Sequence, residues 1–360
     1  MIRYFNFRAV LGLAALVLIA GFVIDIRATL AAYLVAWVAF AAIPVGALGI
    51  QMVTYLVRRA WTPALHPILV SATATLPVVA LLFVPILVWM ANLYPATADP
   101  ASLPPFKAFY LARWFFALRS IAYFTVWSVL AFWLRAAWNV SERMTRAASA
   151  GLIVYTLTLS LAGVDWMESL EPDFHSSIYG LLFITFALLN GLAFAVGAGV
   201  LLRRRLGPLK GYSALLLSTI LLWAYLHAMQ YIVIWSGNIP AEVIWYLKRS
   251  THGWQFVLMV LSFGQFIFPF FALLSERIRG DRRWLFALCG LTLLMRCWEA
   301  AVLILPAVPH LNALMTSVTL LAAPGFIGCA LWWAFEAAYG NRLRGVTLLG
   351  WRARVVTGSK

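Results

Sequence analysis

Long apolar windows, separated by short breaks that carry charge or proline, run through almost the whole of this chain. A hydrocarbon core about 30 Å thick is crossed by about 20 apolar residues in a helix. The pattern therefore predicts ten membrane helices, near 8–24, 29–57, 68–90, 111–135, 147–167, 176–202, 211–235, 252–274, 284–305 and 311–335. The fold class that follows is all-α, a polytopic transmembrane helical bundle forming a single integral membrane domain over 1–360. Residues 336–360 form a short basic tail, and no stretch remains for a separate soluble domain. Two connections on one side are longer than simple turns: the proline-rich segment Asn92 to Tyr110, and the turn Trp235 to Thr251.

Composition supports the pattern. With 64% of its 360 residues hydrophobic and 11% charged, the chain has too little polar surface for a water-soluble domain. The net charge of +15 raises nucleic acid as a partner, but the basic residues sit in the breaks between spans, where membrane insertion places them. Twenty of the 27 Lys and Arg fall on the side that holds both termini. The other seven are Arg27, Lys107, Arg113, Lys248 and Arg249 on the opposite side, with Arg119 and Arg296 inside spans. The positive-inside rule then expects cytoplasmic N- and C-termini, a lipid bilayer as solvent and no nucleic acid. Arg3 and Arg8 before an apolar run could also open a signal peptide, but the run ends at Asp25 and Arg27 without a small-residue cleavage site. Cys289, Cys297 and Cys329 show no C-x-x-C spacing, so disulfide, thiolate metal site and covalent haem are not expected.

Charge inside lipid is expensive and points to candidate chemistry. Arg296 and Glu299 lie three residues apart on one face of the ninth helix. Glu299 is fifteen residues from Trp284, roughly 22 Å at 1.5 Å per residue and so about two-thirds of the way across. A proton relay and a self-neutralising structural pair both fit that placement. His227 and Gln230 share a face of the seventh helix, where a hydrogen-bonded core histidine with a role in proton transfer is expected. A b-type haem between His227 and His252 is disfavoured because their depths differ. Arg119, in the fourth helix, either snorkels to the headgroups or takes Asp165 or Glu299 as its anion. Asp165 ends the fifth helix beside Trp166 and opens a loop with Glu168, Glu171 and Asp173, dense enough to take a cation, a proton or a basic protein surface.

Three segments together resemble one family. Asp165-Trp166-Met167-Glu168-Ser169-Leu170-Glu171-Pro172 followed by Ser177-Ile178-Tyr179-Gly180 is similar to that family's Asp-Trp-x-x-Ser-Leu-(Asp/Glu)-Pro loop and helix opening. Gln230-Tyr231, then Trp235-Ser236-Gly237-Asn238-Ile239-Pro240-Ala241-Glu242 and Trp245-Tyr246-Leu247, resembles its Trp-x-Gly-Asn turn. Tyr110-Leu111, Phe115-Phe116, Arg119 and Tyr123-Phe124 resemble its entry into the fourth helix. The family is the membrane subunit labelled F of alternative complex III, a quinol:cytochrome c oxidoreductase, within the superfamily of polysulfide reductase membrane subunits. The resemblance spans roughly 105 to 310, with departures at Trp114, Asp173-Phe174 and Ala241 on the docking side.

The resemblance implies two four-helix bundles plus flanking helices in a bacterial cytoplasmic membrane. It implies a homologous quinol-binding membrane subunit, an iron–sulfur subunit and multihaem cytochrome c subunits as partners. Quinol is the implied small molecule, with no covalently bound cofactor, no metal and no redox centre in this chain. The expected role is to support quinol oxidation and conduct protons through Glu299, Arg296, His227, Asp165 and Arg119, while Glu168, Glu171, Asp173, Asn238 and Glu242 form the outer docking loops. Two rivals are a stand-alone secondary transporter or channel and a purely structural scaffold subunit. Against the transporter, few polar residues converge at mid-membrane and no internal repeat is seen.

Overall fold

The computed structural model describes residues 7–57, 62–98, 103–136, 142–202, 206–251 and 253–343. Among these residues there are helices and no strands. Ten long helices account for most of them: α1 (Phe7–Ile24), α2 (Ile26–Leu56), α3 (Pro63–Val88), α4 (Arg113–Ala136), α5 (Glu142–Trp166), α6 (Tyr179–Leu201), α7 (Leu209–Gly237), α8 (Trp254–Leu274), α9 (Arg282–Ile304) and α10 (Ala313–Leu343). Nine of them, α2 to α10, are long and apolar enough to cross a membrane, and the apolar part of α1, Ala9–Ile24, is shorter. The chain is thus a multi-pass helical membrane protein.

Helices α2 to α5 surround one apolar core and α6 to α9 a second, with α10 packed along α2 and α1 along α10. The two bundles meet where α2 crosses α6, and sequence explains why these two helices are the buried ones. Both are rich in alanine and glycine, and without a hydrophobic effect between helices in lipid, close packing of small residues drives association. At the crossing a Cβ on Gly46 would lie 1.7 Å from the Ala187 carbonyl oxygen, and one on Gly191 would lie 2.4 Å from the Ala47 nitrogen. Only glycine fits at either place. Beside them the Tyr155 hydroxyl donates to the Val45 carbonyl at 3.1 Å, tying α5 to the same point of α2.

Bonds between helix ends define two faces. On one, Arg282 donates to the Val200 carbonyl, Ser213 to that of Arg279 and Tyr55 to that of Leu134. This is the basic face. On the other, which carries the 165–173 loop, Lys107 donates to the Pro172 carbonyl at 2.7 Å. This is the acidic face.

Several elements differ from the sequence expectation. Helix α3 begins before Pro67 and is interrupted between Thr73 and Leu76, since Pro77 has no N–H to continue the ladder. Helix α8 contains a π-turn over Phe263–Ile267, just ahead of Pro269, which likewise cannot give an N–H to the Gln265 carbonyl. The expected turn from Trp235 to Thr251 is instead the end of α7, an Asn238 left-handed cap at φ 47°, and a helix over Pro240–Arg249. That helix has proline at its first position, Glu242 in its first turn and Lys248 and Arg249 in its last, each complementing the helix ends. The segment after α3 contains short helices at Pro95–Ala98 and Pro105–Tyr110, and α10 runs past Phe335 to Leu343. The remainder of the expected basic tail lies outside the described residues.

The α2–α6 crossing makes a direct prediction. Gly46→Ala should destabilise the purified protein in detergent by at least about 1–3 kcal/mol. Gly290→Ala on α9, where no atom lies within 4 Å of the added Cβ, should not destabilise it. Thermal unfolding of the two variants followed by tryptophan fluorescence checks this, and equal midpoints would contradict the crossing.

Candidate functional site

Among the described residues, two arginine–carboxylate pairs lie within membrane spans, one in each bundle, and they are built differently. In the first, Arg119 near the start of α4 meets Asp165 near the end of α5. Its Nε and Nη2 each donate to a carboxylate oxygen at 2.8 Å, and the Tyr123 hydroxyl adds a third bond at 2.7 Å. The remaining Nη1 donates to the Tyr110 carbonyl at 2.6 Å, and the guanidinium stacks 3.8 Å from the Tyr110 ring centre. Ser169 caps the Asp165 carbonyl, and Trp166 is bonded at both ends by Ser120 and Tyr94. Arg119 is therefore held in the core and does not snorkel. Of the two anions open to it, it takes Asp165. A charge whose every guanidinium nitrogen has a partner joins α4 to α5.

In the second bundle Arg296 and Glu299, one turn apart on α9, pair through Nη1 and Oε2, with side-chain exposures of 0% and 3%. The other carboxylate oxygen of Glu299 accepts from Trp223 Nε1 at 3.0 Å and lies 2.9 Å from His227 Nε2, so that the imidazole donates to it. Trp223 and His227 are one turn apart on α7, which places them on a common face reaching across the bundle to α9. The Arg296 guanidinium lies 4.7 Å from the Trp223 ring centre and 5.7 Å from that of Phe186 on α6, a favourable cation–π environment. His227 keeps 31% of its side chain exposed at the bundle surface, so a chain of bonds runs from a buried carboxylate to the outside of the bundle. A crevice beside it, lined by Met167, Tyr179, Phe183, Phe186, His227, Glu299 and Leu303, has about 10 Å³ of room for the centre of a small molecule, about what one water requires.

The five residues expected along one proton route thus fall into two groups. Arg296, Glu299 and His227 are bonded together, whereas Asp165 and Arg119 form a separate, fully partnered pair in the other bundle. Trp223 was not singled out from the sequence, although its position one turn before His227 was a usable signal. His252 lies outside the described residues. Among the described residues no group of three His, Cys, Asp or Glu is arranged to hold a metal ion, and Cys289, Cys297 and Cys329 are free thiols.

On the acidic face, Glu171 pairs with Lys248 at 2.8 Å and with Arg249 at 2.9 Å. From sequence Arg249 belongs with the charges of the outer loops and helix ends; it does end a helix, yet it is 1% exposed. It donates to the Val302 and Leu303 carbonyls, which the end of α9 leaves without intrahelical partners, and to that of Trp245, whose ring lies 3.7 Å away. Burial pulls the Arg249 guanidinium below its ordinary range, and Glu171 pulls it back. A broad basin of about 1790 Å³ opens here, with Lys107, Glu171, Asp173, Phe174, His175, Trp245 and Lys248 among its walls. Of the other expected docking residues, Glu168 accepts from the Ser176 amide at 3.3 Å, Asn238 caps α7 and Glu242 sits in the first turn of the helix that follows. Compared with known proteins, the sequence matches no family model, and no curated protein shows significant similarity to it.

Two variants separate these roles. Arg119→Met leaves Asp165 buried without its cation and should destabilise the protein by about 3–5 kcal/mol, measured by denaturant unfolding. Arg249→Met should leave overall stability far less affected but raise amide hydrogen exchange across 240–251, with α5 unchanged. Unaltered exchange there would show that Arg249 does not hold that helix.

Proposed function

We propose that this chain is a membrane subunit of a quinol-oxidising respiratory complex of the alternative complex III type, and that Glu299 is its proton-handling group. The observation that carries this reading is the Glu299 centre. It is a carboxylate inside a membrane span, balanced by Arg296 and wired by His227 to the bundle surface. A group in that position can exchange a proton with His227 without moving a net charge far through lipid, because Arg296 remains beside it. In support, the motifs shared with that family surround the acidic face, where the basin lies.

In this reading the basic face is cytoplasmic by the positive-inside rule, and the acidic face receives the partners. Those partners are a homologous quinol-binding membrane subunit, an iron–sulfur subunit and multihaem cytochrome c subunits. They supply the redox chemistry. This chain supports the quinol site and takes up or passes on protons released there. On this face Asp173 is exposed to a basic partner surface, whereas Glu171 is already paired with Lys248 and Arg249.

The test is purification of the tagged chain from its native membrane, with a haem spectrum and quinol:cytochrome c turnover. Co-purified c-type haem and turnover that falls about 10²-fold in Glu299→Gln, within the range for loss of a proton-transfer group, are the expected results. The double variant Arg296→Gln/Glu299→Gln removes both charges and guards against a folding defect from an unpaired arginine. A colourless, solitary chain would refute the complex; haem with undiminished turnover in both variants would refute the role of Glu299.

A further inference from the structure

The middle of the second bundle contains polar groups that the protein itself does not satisfy. Gln265, Thr292 and Gln230 are 0%, 1% and 2% exposed, and their side-chain oxygens and nitrogens have no hydrogen-bond partner. Nor do Nε and Nη2 of Arg296. Elsewhere in the spans most buried residues of these types are bonded, Thr29 near the start of α2 being an exception. Thr158, Thr185, Thr219 and Thr319 donate to carbonyls one turn earlier, Asn190 donates to the Phe186 carbonyl and Gln51 to that of Leu134. Thr292 departs from that habit, and both glutamines depart from that of the other buried amides.

The orphan groups are aligned. Thr292, Arg296 and Glu299 occupy successive turns of one face of α9, and Trp223, His227 and Gln230 successive turns of one face of α7. Gln265 lies in the π-turn of α8, halfway along that helix. The adjacent Gly264 packs so closely on α9 that an added Cβ would meet Met295 Sδ at 2.7 Å. From Thr292 to Gln230 the polar line extends about 15 Å along the bundle, taking 1.5 Å per residue. Apolar side chains pack around it, including Leu261, Leu288 and Ile220.

We propose that this line is an internal water site, with waters seated on Gln265, Thr292 and the free Arg296 nitrogens. A buried polar group is bonded to protein or to ordered water, and a polar site with several converging partners is the kind that holds water. The widened π-turn provides the local slack for such an occupant. Amides supply both donors and acceptors, the guanidinium donors and the threonine both, which suits water better than an anion beside Glu299. The hydration follows from the orphan groups alone and stands whether or not Glu299 carries protons for a quinol site.

Radiolytic hydroxyl-radical footprinting of the full chain in nanodiscs tests it, because radicals generated from bound water oxidise a methionine beside them. Met295 is the internal reporter, 4% exposed, and Met52 in the first bundle, 0% exposed, is the reference. Met295 should be oxidised several-fold faster than Met52, and Gln265→Leu/Thr292→Val should lower its rate toward that of Met52. Wild-type Met295 oxidised no faster than Met52 would overturn the proposal without recourse to a variant, and so would an undiminished rate in a folded double variant.

Discussion

The structure depends first on the contact of two backbones, at Gly46 and Gly191. Because neither residue has a side chain, α2 and α6 touch along their main chains, and each can serve as the inner wall of its own bundle while sealing the other. In lipid there is no hydrophobic gain from bringing two apolar helices together, so the contact must come from dispersion over closely fitted surfaces. The rest of the molecule is arranged about that seam. Helices α3 to α5 close one bundle, α7 to α9 the other, and α10 packs along the outside of α2.

The two arginine–carboxylate pairs inside the spans show what separates a structural charge from a chemically available one. Around Arg119 and Asp165, each guanidinium nitrogen and each carboxylate oxygen has a partner within the pair or from Tyr110 and Tyr123, and the pair acts as a fastening. Around Arg296 the arrangement is incomplete. One Glu299 oxygen is hydrogen-bonded to Trp223 and His227 and the other is ion-paired with Arg296, but Nε and Nη2 of the guanidinium and the side chains of Gln230 and Gln265 have no partner. An incompletely satisfied network of charge is a poor fastening, since each orphan destabilises the folded state by about 1–3 kcal/mol. Its persistence is better explained by something that the network binds or moves.

Much of the fold was legible because lipid allows few solutions. A membrane-crossing helix must be of a certain length and nearly uncharged, so runs of apolar residues located most helix ends closely, though α3 begins five residues earlier and α10 ends eight residues later than they suggest. The sequence also displayed Arg296 and Glu299 as charges in an apolar run, and offered Asp165 as one of two anions for Arg119. What could not be read was which helices face one another. That Trp223 and His227 reach Glu299 depends on α7 lying across the bundle from α9, a tertiary fact with no local signature. The π-turn was hidden for another reason: Pro269 announces an interruption but not its form. The helix over Pro240–Arg249 was legible in its proline and its end charges, but was too short and polar to register as a span.

The arrangement of the charged contacts also imposes a timetable on assembly. Arg119 and Asp165 belong to consecutive helices, so this pair can form as soon as α5 has entered the bilayer, before any of the second bundle exists. Arg249 finds only some of its partners early, Glu171 and the Trp245 carbonyl. Two of the carbonyls that hold it, those of Val302 and Leu303, come from the end of α9, a whole helical hairpin later in synthesis. Until then the shielding of Arg249 from solvent is incomplete. Completion of the acidic face therefore waits for α9, and a chain truncated before α9 would lack these carbonyls as well as Ala300, Ile304, Ala323, Ile327 and Leu331 of the first core.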